Sequence, residues 1–521
     1  MSLARNIATV GSATLLSRLL GFLRDVGIAA ILGAGALSDG YFAALQIPNL
    51  FRRLLAEGAL NSAFVPIWIR TKEESGESGA RRFAEEALGG TLLVLGSVSL
   101  LCVLFAPMVV HLLVPGFRIG SIREQLAIEY VQLAAPYVAI AGLVAVAASV
   151  LNAEGRVAAA AFGLVVFNAV FVVAVGFVLL SGSSAATSTT AGSILSIAMV
   201  AAGIGQCLLV GGALMRLPSP PSRPRFIPSA KTRSFFARVI PGVIAGGIPQ
   251  LKLMAGAVVA SSSQASVSWL YYANRLYELP LGIVSIAIAS VMVPLIASGV
   301  RARELAVIAS AQSRAFEIAL GLALPAAMAF ALLAEPIAGG LFQRGAFGPE
   351  DTAAVASALT AICAGLPGHV LEKVLGAVSF AHEDTSTPMA TALAGLITAT
   401  CVALLLFPTY GHVGVAAAIA ISGWVGALLL GARLIRLGRL HIDAEGRRRL
   451  PLIVLATILM GAVTVGTEKL LGSMWDVTQS ALGRVGLLTV LVAFGLATYC
   501  LILHVTKAVK FRELLSGIMR I

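Results

Sequence analysis

Arginines interrupt apolar sequence near the start of this chain. Arg18, Arg24 and Asp25 fall inside the apolar stretch Asn6–Leu32, and Arg52, Arg53 and Glu57 fall inside Tyr41–Ile69. Asn274, Arg275 and Glu278 form a third cluster. Lys252 lies within the apolar run Pro241–Val259, and Glu372 and Lys373 share another with His369. A charge at the centre of a bilayer costs on the order of 2.5–3.5 kcal/mol on insertion scales. Leucine at these positions would have avoided that cost, so the charges are expected to line a polar cavity. Arginine presents a planar fork of donors that matches phosphate oxygens. The clusters are cationic overall, so the chemistry they suit is the holding of a diphosphate or another anionic headgroup, with no covalent step.

Spacing refines the reading. Arg18 and Asp25 are seven apart and share nearly one helix face, whereas Arg24 projects about 120° away. Arg52 and Arg53 are adjacent and cannot both face one way. Glu57 lies four beyond Arg53, an ion-pair spacing, and Arg275 and Glu278 are spaced i,i+3. Asp39 sits just before the second stretch. The competing reading is structural, with arginine–carboxylate pairs pinning helices together or arginines snorkelling to a membrane face. Acidic partners are too few to neutralise Arg18, Arg24, Arg52 and Arg275 together, which favours binding for those four. For Arg53 with Glu57, and for Lys373 beside Glu372, pairing competes closely with binding. His369 reads as a helix-packing or water-facing residue in preference to a proton relay.

No metal or cofactor is expected. The five cysteines sit singly in apolar runs, with no CxxC and no Cys/His cluster. A membrane enzyme acting on polyprenyl diphosphates would need a metal-binding carboxylate pair or a catalytic loop, and neither DxxD nor a His/Asp cluster is present. The chain therefore does not read as an enzyme.

The elements that must position these charges are membrane helices. The chain is 58% hydrophobic and 12% charged, about half the charge of a soluble globular domain. A spanning helix needs about 20 apolar residues, and such blocks recur along the whole length. We read an all-α polytopic membrane protein of about fourteen spans: 7–33, 40–69, 86–114, 126–151, 157–181, 190–215, 235–260, 266–297, 305–334, 352–380, 386–408, 412–436, 451–471 and 482–505. Net charge is +12, which in a soluble chain would raise nucleic acid as a partner. Here the basic residues gather in alternate loops, so they mark topology and no nucleic-acid partner is expected. The positive-inside rule puts both termini in the cytoplasm, which requires an even number of spans. Pro48, Pro66, Pro241, Pro249, Pro280 and Pro294 bracket or interrupt the charged spans and predict bends.

An internal repeat organises the spans. Ser38–Pro66 matches Ser266–Pro294 at an offset of 228 residues, and the same offset lays Arg24 on Lys252 and Ala153 on Ala381. The reading divides the chain into an N-terminal lobe at 1–217, a Pro-rich basic linker at 218–233, a C-terminal lobe at 234–440, and two extra spans with a basic tail at 441–521. Each repeat holds six spans, an even number, so both copies share one orientation and the binding site is expected between the lobes. The linker, within Leu217–Arg233 (LPSPPSRPRFIPSAKTR), is expected to be cytoplasmic and to lie on anionic lipid.

Four stretches carry a resemblance. NIATVGSATLLSRLLGFLRDVGIAAILGAGALSDGYFAALQIPNLFRRLLAEGALNSAFVPIW closely resembles the N-terminal signature of the MviN/MurJ family of lipid II flippases. YYANRLYELPLGIVSIAIASVMVPLI resembles the family's eighth-span motif, and LFQRGAF and EKVLGAVSFAHEDTSTP resemble later segments. The resemblance implies the multidrug/oligosaccharidyl-lipid/polysaccharide exporter fold, with two six-helix lobes, a cationic central cavity and two extra spans that form a groove for a lipid tail. It implies alternating access that moves lipid II, the undecaprenyl-diphosphate-linked peptidoglycan precursor, from the cytoplasmic to the periplasmic leaflet of the bacterial inner membrane. The protein is expected to be a monomer whose other partners are membrane lipids. By resemblance Arg18, Arg24, Arg52 and Arg275 match the cavity arginines, and Asp25, Asp39, Arg53 and Glu278 match other functional charges, with roles in gating.

The chain departs from the family in two places. Asn274 stands where many relatives carry Asp. Some relatives bind sodium through an acid in the seventh span, and here that span holds Lys252 and no acid. The sodium site is not expected here, and membrane potential and protons are the alternative drives, which the sequence does not decide between. The alternative function is a flippase for another polyprenyl-diphosphate-linked oligosaccharide. An exporter of cationic drugs would carry an acidic cavity, and a non-transporting scaffold would tolerate loss of the arginines.

Overall fold

Length and apolar content dictate helices that satisfy their own backbone where no water can, and the secondary structure observed is helical. The computed structural model describes residues 3–56, 59–181, 188–288, 293–302, 304–477 and 481–506. Glu57, expected to pair with Arg53, lies outside them. The described residues form two compact units, Met1–Ser268 with Arg344–Phe347, and Trp269–Gln343 with Gly348–Ile521.

The first unit contains α1 (Leu3–Leu32), α2 (Ala36–Ala56), α3 (Ala59–Leu104), α4 (Ala106–Leu113), α5 (Ile122–Ala134), α6 (Pro136–Ala153), α7 (Val157–Leu180), α8 (Ser188–Leu214) and α9 (Ala230–Ala260). It closes on the first turn of α10 (Ser266–Ala287). Helix α3 packs along α6 and α9, α1 along α7, α7 along α8, and α2 along α5. An aromatic cluster joins α3 to α9: Phe64 stacks on Phe83 at 5.0 Å, and Phe235 meets both edge-on. Aromatic pairs of this kind add about 0.5–1.5 kcal/mol each beyond area burial. Leucines such as Leu112 and Leu180 point outward, as a lipid-facing surface requires.

The Pro-rich basic stretch forms a strap fastened to α3, and the sequence reading as a linker did not anticipate this. Two adjacent buried carboxylates hold it. Glu85 accepts from Ser222 N and Oγ, both at 3.1 Å, and from Arg225 Nε at 2.7 Å. Glu86 accepts from Ser229 N and Thr232 Oγ1, both at 2.8 Å. Arg81 and Arg82, one turn before each carboxylate, complete the pairs at 3.1 and 3.0 Å. Proline-rich sequence lacks donors for a helix, so its polar groups are satisfied from α3.

The second unit contains the remainder of α10, then α11 (Val293–Ala302), α12 (Leu305–Leu332), α13 (Ala334–Phe342), α14 (Pro349–Cys363), α15 (Leu366–Ala381), α16 (Ser386–Arg436), α17 (Ala444–Val477) and α18 (Ala481–Val505). Helix α16 breaks at Gly411, whose φ of 55° a residue with a Cβ adopts only with strain. The break falls between the expected segments 386–408 and 412–436. Helix α15 packs along α16 and α12, and α17 lies between α12 and α18. Tyr499 of α18 donates to Gly321 O of α12 at 2.8 Å.

Among the described residues, nine helical runs are long and apolar enough to cross a membrane. One of them is the 69-residue run Ala36–Leu104, which holds more than one expected span. Helices α1, α9 and α10 are outside the nine, and these carry Arg24, Lys252 and Arg275. The protein is an all-helical, multi-pass membrane protein.

Candidate functional site

In the first unit the guanidinium of Arg24 folds back onto its own neighbour. Arg24 Nε and Nη2 both donate to Asp25 Oδ1, at 2.9 and 2.8 Å. The Asp25 side chain is fully buried and that of Arg24 is 14% exposed. Spacing alone favoured Arg18 as the residue sharing a face with Asp25; the flexible Arg24 side chain overrides the separation of about 100° between adjacent helical residues. Arg18 is exposed on the same helix.

Helix α7 completes this site. Arg24 Nη1 donates to Asn168 Oδ1 at 3.2 Å, and the guanidinium lies 5.2 Å from the centroid of the Phe171 ring. The Asn168 amide is oriented by donation to Ser17 O, Ser17 Oγ and Leu164 O, at 3.0 to 3.2 Å. Arg24 is thus held on three sides by a carboxylate, an amide and an aromatic face. Sequence reasoning missed Asn168, although a lone amide in the apolar run VVFNAVFVV was a visible signal. Arg52 of α2 is half-buried, and the buried Tyr137 lies within electrostatic reach of both Arg52 and Arg24. Arg53 is half-buried beside it, and Lys252 of α9 is buried to 7% exposure.

Asp39 anchors a second cluster in the same unit. Its carboxylate is fully buried and saturated with donors. Oδ2 accepts from Arg123 Nη2 at 2.7 Å and Ala265 N at 2.8 Å. Oδ1 accepts from Ser268 N at 2.9 Å and Ser268 Oγ at 2.6 Å. Arg123 also donates to Ser261 O and Ser263 O, at 3.2 and 3.0 Å, and lies 4.1 Å from the Phe117 ring centroid. Asp39 therefore caps the first turn of α10, where the helix dipole favours an anion. Ala265, just before that turn, has φ 64°. Backbone strain of this kind persists where surroundings over-determine it. Sequence reasoning singled out Asp39 but neither Arg123 nor the serines, because their juxtaposition is long-range.

The second unit holds its charges less tightly. Arg275 Nη1 lies 3.4 Å from Glu278 Oε2, with side-chain exposures of 25% and 23%. Asn274 Nδ2 donates to Glu278 Oε1 at 3.2 Å. Tyr277, the residue before Glu278, is buried, and its hydroxyl lies 2.8 Å from His369 Nδ1 on α15. Glu372 is half-buried and Lys373 exposed on the same helix. Among the described residues no three His, Cys, Asp or Glu converge to hold a metal ion.

These units define a polytopic membrane protein with the MATE-type fold: a multidrug resistance MATE family transporter of the MOP superfamily, in its inward-facing conformation, superposes with a TM-score of 0.67 over 83% of this chain and 98% of that one, at 15% identity. A lipid II flippase MurJ in an inward closed conformation superposes better, at 0.79 over 97% of this chain and 99% of that one, with 22% identity. The sequence comparisons are narrower. A profile of the family described as lipid II flippase MurJ matches residues 28–486. Probable lipid II flippases MurJ from Rhizobium meliloti (strain 1021) and Rhizobium tropici are 39% and 34% identical to this chain, over 89% and 96% of it and 86% and 94% of their own lengths. The chain belongs to the lipid II flippase MurJ family.

Proposed function

We propose that this chain translocates lipid II from the cytoplasmic to the periplasmic leaflet of a bacterial inner membrane by alternating access. The observation that carries the reading is family membership across residues 28–486, with a relative of 39% identity described as a probable lipid II flippase. In this reading the undecaprenyl diphosphate is the part the arginines recognise. Arg24, Arg52 and Arg275 hold the diphosphate oxygens, and Arg18 assists. The positioning of Arg24 by Asn168 and Phe171 supports its role, since a fork fixed before binding loses less entropy on meeting a phosphate. Asp25, Asp39, Arg53, Asn274 and Glu278 form pairs that exchange between conformations and so set the gating energetics, and Lys252 and Lys373 contribute to the cationic field. We further assign fourteen spans, as two six-span repeats followed by two more, with both termini cytoplasmic and the chain active as a monomer.

The test is depletion of the protein in its own host, followed by assay of which leaflet labelled lipid II occupies. Accumulation in the cytoplasmic leaflet, reversed by wild type but not by Arg24→Ala or Arg275→Ala that reach the membrane, is the expected result. An unchanged distribution would overturn lipid II as the substrate and point to another polyprenyl-diphosphate-linked oligosaccharide. Wild-type growth of both variants would sink the site assignment.

A further inference from the structure

Titratable groups gather in the second unit where α15 meets α10 and α16. His369 and Glu372 lie three apart on α15, a spacing that puts them on one helix face. Helix α16 meets that face with glycines at the matching interval. A methyl group at Gly423 would collide with the His369 ring, and one at Gly426 would lie 2.8 Å from Glu372 Oε1. Glycine at both positions lets α16 approach closely, and it leaves room for a polar ring and a carboxylate inside an otherwise apolar packing. From α10, the Tyr277 hydroxyl reaches His369 Nδ1 at 2.8 Å, and Glu372 and Glu278 are both near enough to act on that hydroxyl electrostatically.

The hydrogen bonds at His369 Nδ1 can be arranged in two ways, according to whether that nitrogen carries a proton. Two groups compete for this one nitrogen: the Tyr277 hydroxyl, and Gly365 O at 3.1 Å. A carbonyl can only accept, and a phenol can donate or accept. When Nδ1 carries no proton, Tyr277 donates to it and Gly365 O keeps only the backbone N–H of His369, at 3.0 Å. When a proton from water makes the ring an imidazolium, Nδ1–H donates to Gly365 O or to the Tyr277 oxygen. The Tyr277 O–H then keeps its proton but must turn to another acceptor. One proton is taken up, no covalent bond between heavy atoms changes, and the ring gains a positive charge beside Glu372.

We propose that His369, with Tyr277 and Glu372, is a proton-binding site, and that its protonation is linked through Glu278 to Arg275. The link has a physical basis. Glu278 already accepts from Asn274 at 3.2 Å and pairs with Arg275 at 3.4 Å. An imidazolium, and a Tyr277 hydroxyl turned toward a new acceptor, both compete for that carboxylate and weaken its hold on Arg275. The guanidinium then binds an anion more strongly, so proton uptake and diphosphate binding reinforce one another. By reciprocity, bound diphosphate raises the affinity of His369 for its proton by the same factor. The other titratable groups on α15 and the elements around it are Lys373 of α15, Tyr271 and Tyr272 of α10, Arg301 of α11, Arg314 and Glu317 of α12, Glu350, Asp351 and Cys363 of α14, and Cys401, Tyr410, His412, Arg433 and Arg436 of α16. Glu317 is paired with Arg449 of α17 at 3.3 Å. The linkage to diphosphate rests on the lipid II reading; the proton site itself does not.

The test uses the full chain in nanodiscs, labelled with 15N-histidine. Six histidines are present, and His369→Gln identifies the resonance. His369 is expected to titrate between about pH 5 and 8, Glu372→Gln to lower its midpoint, and added lipid II to raise it. Tyr277→Phe keeps the ring volume and is expected to move the midpoint without loss of fold. In proteoliposomes the flipping rate should fall about tenfold per pH unit above the midpoint, while His369→Gln shows a flat profile. A His369 that stays in one protonation state across that range overturns the proposal, as does a His369→Gln profile superimposable on wild type. If His369 titrates and answers to Glu372→Gln but lipid II moves neither its midpoint nor across the membrane, the proton site stands and the substrate reading fails.

Discussion

Arg24 and Arg275 each sit beside a carboxylate of their own helix, and the two pairs are built differently. In the first unit Asp25 receives two guanidinium nitrogens at 2.8–2.9 Å with its side chain fully buried, and a neighbouring helix supplies an amide and an aromatic face. In the second unit a contact of 3.4 Å joins two groups that are each about a quarter exposed, and an amide that supports the carboxylate comes from the same helix. A buried, supported pair resists exchange, because removing either partner strands a charge in an apolar setting. A loose, partly wet pair can change partners at little cost. The comparison separates a pair at Arg24 that exchanges only at high cost from one at Arg275 that exchanges at low cost.

The largest effect should come from breaking the anchored pair. Asp25→Ala leaves Arg24 without its carboxylate, and is expected to destabilise the protein by about 3–5 kcal/mol. Glu278→Ala should cost no more than about 1 kcal/mol. Unfolding of both variants in detergent micelles measures the difference. Equal losses would erase the distinction between the two sites.

Asp39→Asn comes next. The change keeps the shape of the side chain, but one of its two oxygens becomes a donor facing donors, Arg123 Nη2 and Ala265 N or Ser268 N and Oγ. A loss of about 2–3 kcal/mol is expected, read by the same unfolding measurement. Asp39→Ala should cost more, because Arg123 would be left among apolar groups and carbonyls alone. If Asp39→Asn is neutral, water replaces the missing acceptor and the cap is weaker than its geometry.

The helix packing beside His369 offers a gentler intervention. Gly423→Ala and Gly426→Ala each force a methyl group against a polar side chain of α15, and overpacking of this kind costs about 1–3 kcal/mol. Gly423→Ala should also disturb the His369 ring resonance, whereas Gly431→Ala, whose added carbon would lie 3.6 Å from Leu375 Cδ1, should leave it unchanged. A His369 resonance indifferent to Gly423→Ala would show that α16 does not confine the ring.

How much of this was legible in the sequence follows the range of the interactions. Arg24 and Asp25 are neighbours, so their presence in one apolar run announced a polar site, and the helical class followed from apolar length alone. Arg123, Asn168 and Ser268 lie 84, 144 and 229 residues from the groups they meet, and no local period encodes such a meeting. The strap at Ser222–Thr232 was hidden for the same reason. Its prolines and basic residues read as a linker lying on anionic lipid, while the two carboxylates that fasten it sit far away in sequence on α3. Glu57 lies outside the described residues, so its pairing with Arg53 has no structural counterpart. His369 read as packing or water-facing; its ring does pack on α16, and the contact with Tyr277, 92 residues distant, is what the spacing could not supply.

The smallest effect concerns the offset of 228 residues that lays Arg24 on Lys252. The same offset lays Gly155 on Glu383, and both have positive φ, 71° and 60°. Each follows a helix that packs in its own unit, α6 before Gly155 and α15 before Glu383. Glycine reaches this conformation without strain, and a residue with a Cβ pays about 1–2 kcal/mol for it. Gly155→Ala should therefore destabilise the first unit by about 1 kcal/mol, and Glu383→Gly should stabilise the second by up to about 1 kcal/mol. The gain at Glu383 is the smaller because glycine also loosens the unfolded chain. Beside it Asp384 caps α16, accepting from Thr387 Oγ1 at 2.7 Å and Thr387 N at 3.0 Å, contacts that hold its carboxyl at about 2. A carboxyl so depressed contributes stability that is complete above its ordinary value of 3.8 and is lost only as pH falls toward the folded value. Both glycine substitutions should therefore give the same shift in unfolding midpoint at pH 5 and at pH 8. A shift for Glu383→Gly that changed with pH in that window would mean that the Glu383 carboxylate itself is held by a partner and that its left-handed backbone serves that contact.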